Sequence, residues 1–261
     1  MEITAAPHWQ TVDFISDLHL QSQEPKTITA LAVYLAQTPA QAVFILGDLF
    51  EVWVGDDSLL LEDGAQQAVA RLLHQASARV DLFIMCGNRD FLMGDQLIAA
   101  CGAQRLEDPS VLYAGGIRWL LTHGDALCLA DAPYQAFRAQ VRSQAWQQAF
   151  LSQPLPQRLA LARQMRSQSE AQKQQFAHSQ AHWIDLDQAA CLALLADHRA
   201  DHLIHGHTHQ PARHDVGSAH TRWVLSDWDL HANPARAQAL RLQVANGLLE
   251  RVDLATAASA P

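Results

Sequence analysis

Residues 42–50 read Ala42-Val43-Phe44-Ile45-Leu46-Gly47-Asp48-Leu49-Phe50, an apolar run stopped by a glycine and then by an acid. The run has the length of a buried strand. A carboxylate at its carboxyl end is costly to bury unless it is paired or binds a metal. The same grammar recurs on both sides. Val12 to Ile15 leads into Ser16-Asp17-Leu18-His19-Leu20, Val80 to Met85 into Cys86-Gly87-Asn88-Arg89-Asp90, Ile117 to Leu121 into Thr122-His123-Gly124-Asp125, and His202 to His205 into Gly206-His207-Thr208-His209. Helical patterns at Ile28 to Leu35 and Ala65 to Leu73 separate the first three strands, which predicts βαβ units and a parallel start to a sheet. In open α/β sheets sites form in the crevice beyond the carboxyl ends of strands, so the five clusters are expected to converge.

Outward from that centre the sheet becomes mixed. Val111 to Tyr113 and Ile117 to Leu121 flank Ala114-Gly115-Gly116, a hairpin turn. From about Asp125 to Asp185 the composition shifts to Gln, Arg and Ala at helical spacing, broken at Pro154-Leu155-Pro156. Strand patterns resume at His202 to His205, Arg222 to Leu225, Ala239 to Val244 and Leu248 to Val252. The expected organisation is an α/β core over 1–124 and 186–254, a helical insertion over 125–185 and a frayed tail over 255–261.

Composition excludes several classes. With 261 residues, 49% of them hydrophobic, the chain can bury a sizeable core. Its net charge of −9 offers no global basic field for nucleic acid. Cys86, Cys101, Cys128 and Cys191 form no Cys-x-x-Cys pair, which argues against a disulfide framework or structural zinc and fits a reducing cytoplasm. No segment approaches eighteen uninterrupted apolar residues, so no membrane span is expected.

The strand-end clusters hold seven candidate metal ligands: Asp17, His19, Asp48, Asn88, His123, His207 and His209. Asp17 with His19, and His207 with His209, have the i, i+2 spacing that puts two side chains on one side of extended backbone. Asp48 is the natural bridge between two ions. A nitrogen and oxygen set without thiolate suits Mn²⁺, Fe²⁺ or Zn²⁺ better than Ca²⁺. Two such ions roughly 3.5 to 4 Å apart clamp a phosphoryl group and activate water for in-line attack. Fourteen histidines make any single His match weak, but Asn88 and the ordered recurrence are not explained by that bias. His205 is read as a packed histidine, and Asp125 as orienting a neighbour or capping a helix.

The insertion reverses the chain's charge. Residues 126–180 carry Arg138, Arg142, Arg158, Arg163, Arg166 and Lys173 against Asp131 and Glu170, interleaved with Phe137, Trp146, Phe150 and Leu151. Amphipathic helices with basic edges form an ordinary solvated cap or a lid over anionic, acylated substrate.

In this order, Asp-x-His, Gly-Asp, Gly-Asn, His-Gly and Gly-His-x-His resemble the calcineurin-like metallophosphoesterase superfamily. Arg89 stands where most of its members have His. That variant, with Glu51-Val52-Trp53-Val54-Gly55-Asp56-Asp57, Asp131 to Arg138 and Ile204 to Pro211, is similar to the UDP-2,3-diacylglucosamine hydrolase family of lipid A biosynthesis over about Val12 to Val252.

The resemblance implies a sandwich of mixed sheets flanked by helices with a helical lid. It implies water attack on the α-phosphate of UDP-2,3-diacylglucosamine, giving UMP and 2,3-diacylglucosamine 1-phosphate, with two ions, usually Mn²⁺. It puts one ion on Asp17, His19, Asp48 and His209 and the other on Asp48, Asn88, His123 and His207, with Asp48, Asn88, Arg89 and His123 central to catalysis. Asn88, Arg89, Asp131, Arg166, Ser169, Lys173 and His207 would meet substrate. After Ser169 the chain departs from the family, reading Glu170 to Phe176 with Lys173 and no Asn. The implied location is peripheral, on the cytoplasmic face of the inner membrane, with a lipid-linked nucleotide sugar as partner, no nucleic acid and no protein partner. The alternative is a metal-dependent phosphodiesterase or phosphatase for a soluble nucleotide.

Overall fold

The computed structural model describes residues 1–61, 64–178, 185–217 and 219–255, with the helical backbone alone over 167–178. Two six-stranded sheets face each other. Strands β1 (Glu2–Thr4), β2 (Thr11–Ile15), β3 (Ala42–Leu46), β4 (Asp81–Met85), β5 (Gln104–Leu106), β6 (Ser110–Ala114), β7 (Ile117–Thr122), β8 (His202–His205), β9 (Arg213–Val216), β10 (His220–Val224), β11 (Gln238–Gln243) and β12 (Leu248–Asp253) build them in the orders β12-β11-β2-β3-β4-β5 and β1-β6-β7-β8-β10-β9. β2 through β5 run parallel, as the βαβ pattern predicts, and β11 joins β2 antiparallel.

Every residue of β2 and β3 is buried, because both faces of their sheet are covered. Phe14, Phe44, Leu46, Phe83 and Met85 point into the space between the sheets, meeting Leu112, Trp119, Leu121 and Ile204 of the other. Phe44 and Phe83 stack with centroids 4.4 Å apart. Ile15, Val43, Ile45 and Ile84 point the other way, onto helices α1 (Pro25–Gln37), α2 (Ala65–Ser77) and α3 (Asp95–Ala100).

Three more helices, α4 (Ala132–Val141), α5 (Gln144–Leu151) and α6 (Leu155–His178), form the insertion, and α5 ends before Pro154 as the sequence requires. The insertion's two ends meet where Asp187 N donates to Leu127 O at 2.8 Å. Helix α7 (Gln188–Asp197), which the sequence reading did not single out, covers the second sheet through Cys191 and Leu195. Gly115 and Gly116, both at positive φ, turn the β6–β7 hairpin as expected. Residues 256–261 of the expected frayed tail lie outside the described residues. Ala255, at its start, is buried and its N–H donates to Asp253 at 2.9 Å.

Candidate metal centre

All seven ligands expected from the strand ends come together. β2, β3 and β4 supply Asp17 and His19, Asp48, and Asn88 from one sheet, while β7 and β8 supply His123 and the His207–His209 pair from the other. His209 Nε2 lies 3.2 Å from Asp17 Oδ1 and 3.3 Å from His19 Nε2. Asn88 Oδ1 lies 2.9 Å from His123 Nε2 and 2.8 Å from His207 Nδ1. Asp48 Oδ2 sits between the two groups, 3.9 Å from His19 Nε2 and 3.7 Å from His123 Nε2. Among the described residues two triads have potential ligand atoms within 4.8 Å of one another, Asp17–His19–His209 and Asp17–Asp48–His123, so Asp17, which was expected at one position, borders both.

Backbone conformation explains how strand ends deliver these groups. Asp17, His19, Asp48, His207 and His209 all have φ between 49° and 65°, a region that non-glycine residues rarely adopt. Such geometry persists only where the surroundings enforce it, and it gathers at functional sites. Here the loops enforce it on one another. Asp17 N donates to Gly47 O, His19 N to Asp48 O and Gly206 N to His123 O, all at 3.0 to 3.1 Å. The carboxylates are gripped by amides from other loops. Arg89 N donates to Asp48 Oδ1 at 2.8 Å and His207 N to Asp17 Oδ2 at 3.0 Å. This closeness dictates Gly87 and Gly206, where an added Cβ would fall 2.1 Å from Asp48 Oδ1 and 2.3 Å from Asp17 Oδ2.

The electrostatics call for cations. Asp17 and Asp48 are almost wholly inaccessible. Burial raises the cost of ionising Asp17, but the hydrogen bond from His209 and the charges of His209, His123 and His19 hold it below the usual carboxylate range. Burial likewise opposes charge on His123, yet Asp48 and Asp17 push it up to about 9. Two buried carboxylates thus attract positive charge strongly enough to overcome desolvation. Two divalent ions supply that charge and match the oxygen and imidazole donors. His207 is pushed down to about 3 by burial and by His123, which leaves it neutral with a lone pair to give.

Other expectations meet different surroundings. His205 is buried with Nδ1 2.8 Å from Gly206 O, a packed histidine as expected. Asp125 orients neighbours, accepting from Tyr134 Oη at 2.6 Å and Arg138 Nε at 2.8 Å. Asp131, expected at the substrate, is the N-cap of α4, accepting from Tyr134 N at 3.0 Å. Arg166 and Arg89 both reach Glu51, Arg89 Nη1 at 3.5 Å from its Oε1. The side chains of Ser169 and Lys173 lie outside the described residues. The basic edge of the insertion is smaller than its sequence suggests: Arg158 is buried and bonded to Val54 O and Asp57, and Arg142 donates to Gly87 O at 2.9 Å.

Three acids that the sequence reading passed over support the ligands. Asp90 accepts from Gly87 N at 2.7 Å and Leu49 N at 2.8 Å, tying the β3 and β4 loops together. Glu51 Oε2 lies 2.8 Å from His19 Nδ1. Asp227, held by Arg236 at 2.6 Å, stands 3.8 Å from His209 Nδ1. One signal was available for Glu51: it is a lone acid in the apolar run Leu49 to Trp53, where an unpaired charge is rarely buried.

The profile of the calcineurin-like phosphoesterase family matches residues 10–211. The UDP-2,3-diacylglucosamine hydrolase of Chromobacterium violaceum is 45% identical over 223 residues, 83% of this chain and 90% of that one. Those of Bordetella pertussis and Xanthomonas oryzae pv. oryzae are 42% and 44% identical, over 85% and 84% of this chain and 87% and 91% of theirs. From the strand-end ligands, the paired sheets and these matches together, the chain belongs to the calcineurin-like phosphoesterase family, in the branch where the UDP-2,3-diacylglucosamine hydrolases lie.

Proposed function

We propose that the chain hydrolyses the diphosphate of UDP-2,3-diacylglucosamine, yielding UMP and 2,3-diacylglucosamine 1-phosphate on the route to lipid A. The observation that carries this reading is the meeting of Arg89 from the core and Arg166 from the insertion at one carboxylate beside the metal ligands. Two guanidiniums from opposite walls can grip a diphosphate in bidentate fashion. A soluble monoester does not call for a second wall bearing exposed Phe137 and Leu151, which suit acyl chains.

Asp17, His19, Asp48 and His209 would hold one ion and Asp48, Asn88, His123 and His207 the other, with Mn²⁺ as the proposed metal. Bound there, two divalent ions polarise the phosphoryl oxygens and lower the pKa of water. The protein's own groups do the rest. Arg89 and Arg166 hold the diphosphate so that the α-phosphorus faces the ligand cluster. Attack by water there breaks the bond to the bridging oxygen, which leaves with the sugar phosphate while the water oxygen stays on UMP. Asp131, Ser169 and Lys173 are proposed headgroup contacts.

No helix among the described residues is long and apolar enough to cross a membrane. We place the protein on the cytoplasmic face of the inner membrane as a peripheral enzyme, with exposed Leu129, Phe137 and Leu151 against lipid. The test is UMP release from UDP-2,3-diacylglucosamine by purified protein with Mn²⁺. Cleavage of bis-p-nitrophenyl phosphate without UMP release would reject this substrate and favour the soluble-nucleotide alternative.

A further inference from the structure

Glu51 is buried to 6% exposure three residues beyond the bridging Asp48, yet none of the expected ligand positions includes it. Its two oxygens face different partners. Oε2 lies 2.8 Å from His19 Nδ1, while Oε1 pairs with Arg89, at 3.5 Å, and with Arg166. His19 turns its other nitrogen, Nε2, toward His209 and Asp48 in the ligand cluster. A carboxylate on Nδ1 keeps the proton there and leaves the Nε2 lone pair for metal, and such partners orient the ring and raise its basicity. His123 achieves the same with a backbone group, Nδ1 lying 2.9 Å from Leu46 O. A carbonyl is a single neutral oxygen, whereas Glu51 has a second oxygen and a full negative charge to offer to cations.

We propose that Glu51 is a positioning residue that ties the metal centre to substrate capture, using one oxygen to set His19 as a ligand and the other to hold Arg89 and Arg166 where phosphate enters. Three segments therefore share one anion: the β2 loop through His19, the β4 loop through Arg89 and helix α6 through Arg166. Arriving phosphate offers both guanidiniums a stronger bidentate partner. The carboxylate is then left to His19 alone, so substrate binding firms the ligand's orientation. Helix α6 is suited to deliver Arg166, because Arg158, two turns earlier on the same face, pins the helix to Val54 and Asp57. The coupling to substrate rests on the function proposed above, whereas the effect on the metal does not.

Two measurements separate those parts. Metal-stripped full-length protein is titrated with Mn²⁺, following free Mn²⁺ by electron paramagnetic resonance. In Glu51→Gln one of the two ions should bind about 10- to 100-fold more weakly while the other keeps its affinity. Wild-type affinity at both positions would overturn the assignment, even in a protein that proves to act on another substrate. The second measurement is a double-mutant cycle on KM with Arg166→Gln, a partly exposed position whose loss leaves the core intact. Each single change should raise KM, and the pair should raise it by clearly less than the product of the two, since Glu51 acts on substrate in part through its ion pair with Arg166. Strictly multiplicative effects would refute the coupling. Should Glu51→Gln fail to fold, Glu51→Asp serves: its shorter arm cannot reach both sides, so either Mn²⁺ affinity or KM must change, and neither changing would sink the proposal.

Discussion

In the core, Asp17, Asp48 and Asp90 are gripped by main-chain amides of neighbouring loops; in the insertion, Arg142, Arg158 and Arg166 reach down to acids and carbonyls of the core, and Arg138 reaches Asp125, where the insertion begins. Amides fixed to strand ends leave a carboxylate little room, and the left-handed backbone of five candidate ligands shows how firmly they are held. Arginine side chains are long, and the ion pairs they make are individually replaceable by water or ligand. The two regions thus divide the labour. The core fixes the geometry of attack, and the insertion presents cations whose partners can change when substrate arrives.

If that division holds, the largest effect should come from the core. Asp48→Ala removes the carboxylate that faces both His19 and His123, and should strip metal from both positions and lower kcat on the order of 10³-fold or more. Metal analysis after desalting, alongside turnover, checks it; two retained ions with full activity would break the assignment. Next comes the boundary between regions. Arg89→Ala removes a guanidinium but leaves the Arg89 N–H bond to Asp48, so metal content should stay whole while kcat/KM falls roughly 10²-fold. Loss of metal in this variant would mean that Arg89 belongs to the core's framework instead.

The same contrast sets what could be read from sequence. Each candidate ligand stands at a strand end behind an apolar run, and the ordered recurrence of that pattern, more than any single match, made Asp17, His19, Asp48, Asn88, His123, His207 and His209 legible as a candidate set. Gly87 and Gly206 stand in the same motifs, but the close approach to Asp48 and Asp17 that requires them shows only in the structure. Glu51, Asp90 and Asp227 act across loops on partners that no spacing rule links to them. Strands β1 and β5 have three residues each, and β9 has four, too few to show a period of two. In the insertion, composition gave the helices and their cations but not where the cations go. Arg158 looks like any basic edge residue, and only packing shows that it is buried.

The smallest effect tests the insertion's attachment. Asp125 is fully buried and binds Tyr134 and Arg138 of α4, so it fastens the first helix to the β7 strand end. Burial opposes its ionisation, but His123, Arg138 and Tyr134 hold it below its ordinary value of 3.8. A lowered folded-state pKa means that its contribution is complete above the unfolded value and is lost only as pH falls through the folded one, so mild acid does not release the helix. Substitution does. Asp125→Asn keeps the shape and part of the hydrogen bonding but removes the charge opposite Arg138, and KM should rise roughly three- to tenfold with metal content intact. Limited proteolysis should cut the insertion faster while sparing the core. Faster cutting with no change in KM would show that α4 can loosen without disturbing substrate capture, and the working contact would then belong to α6 alone.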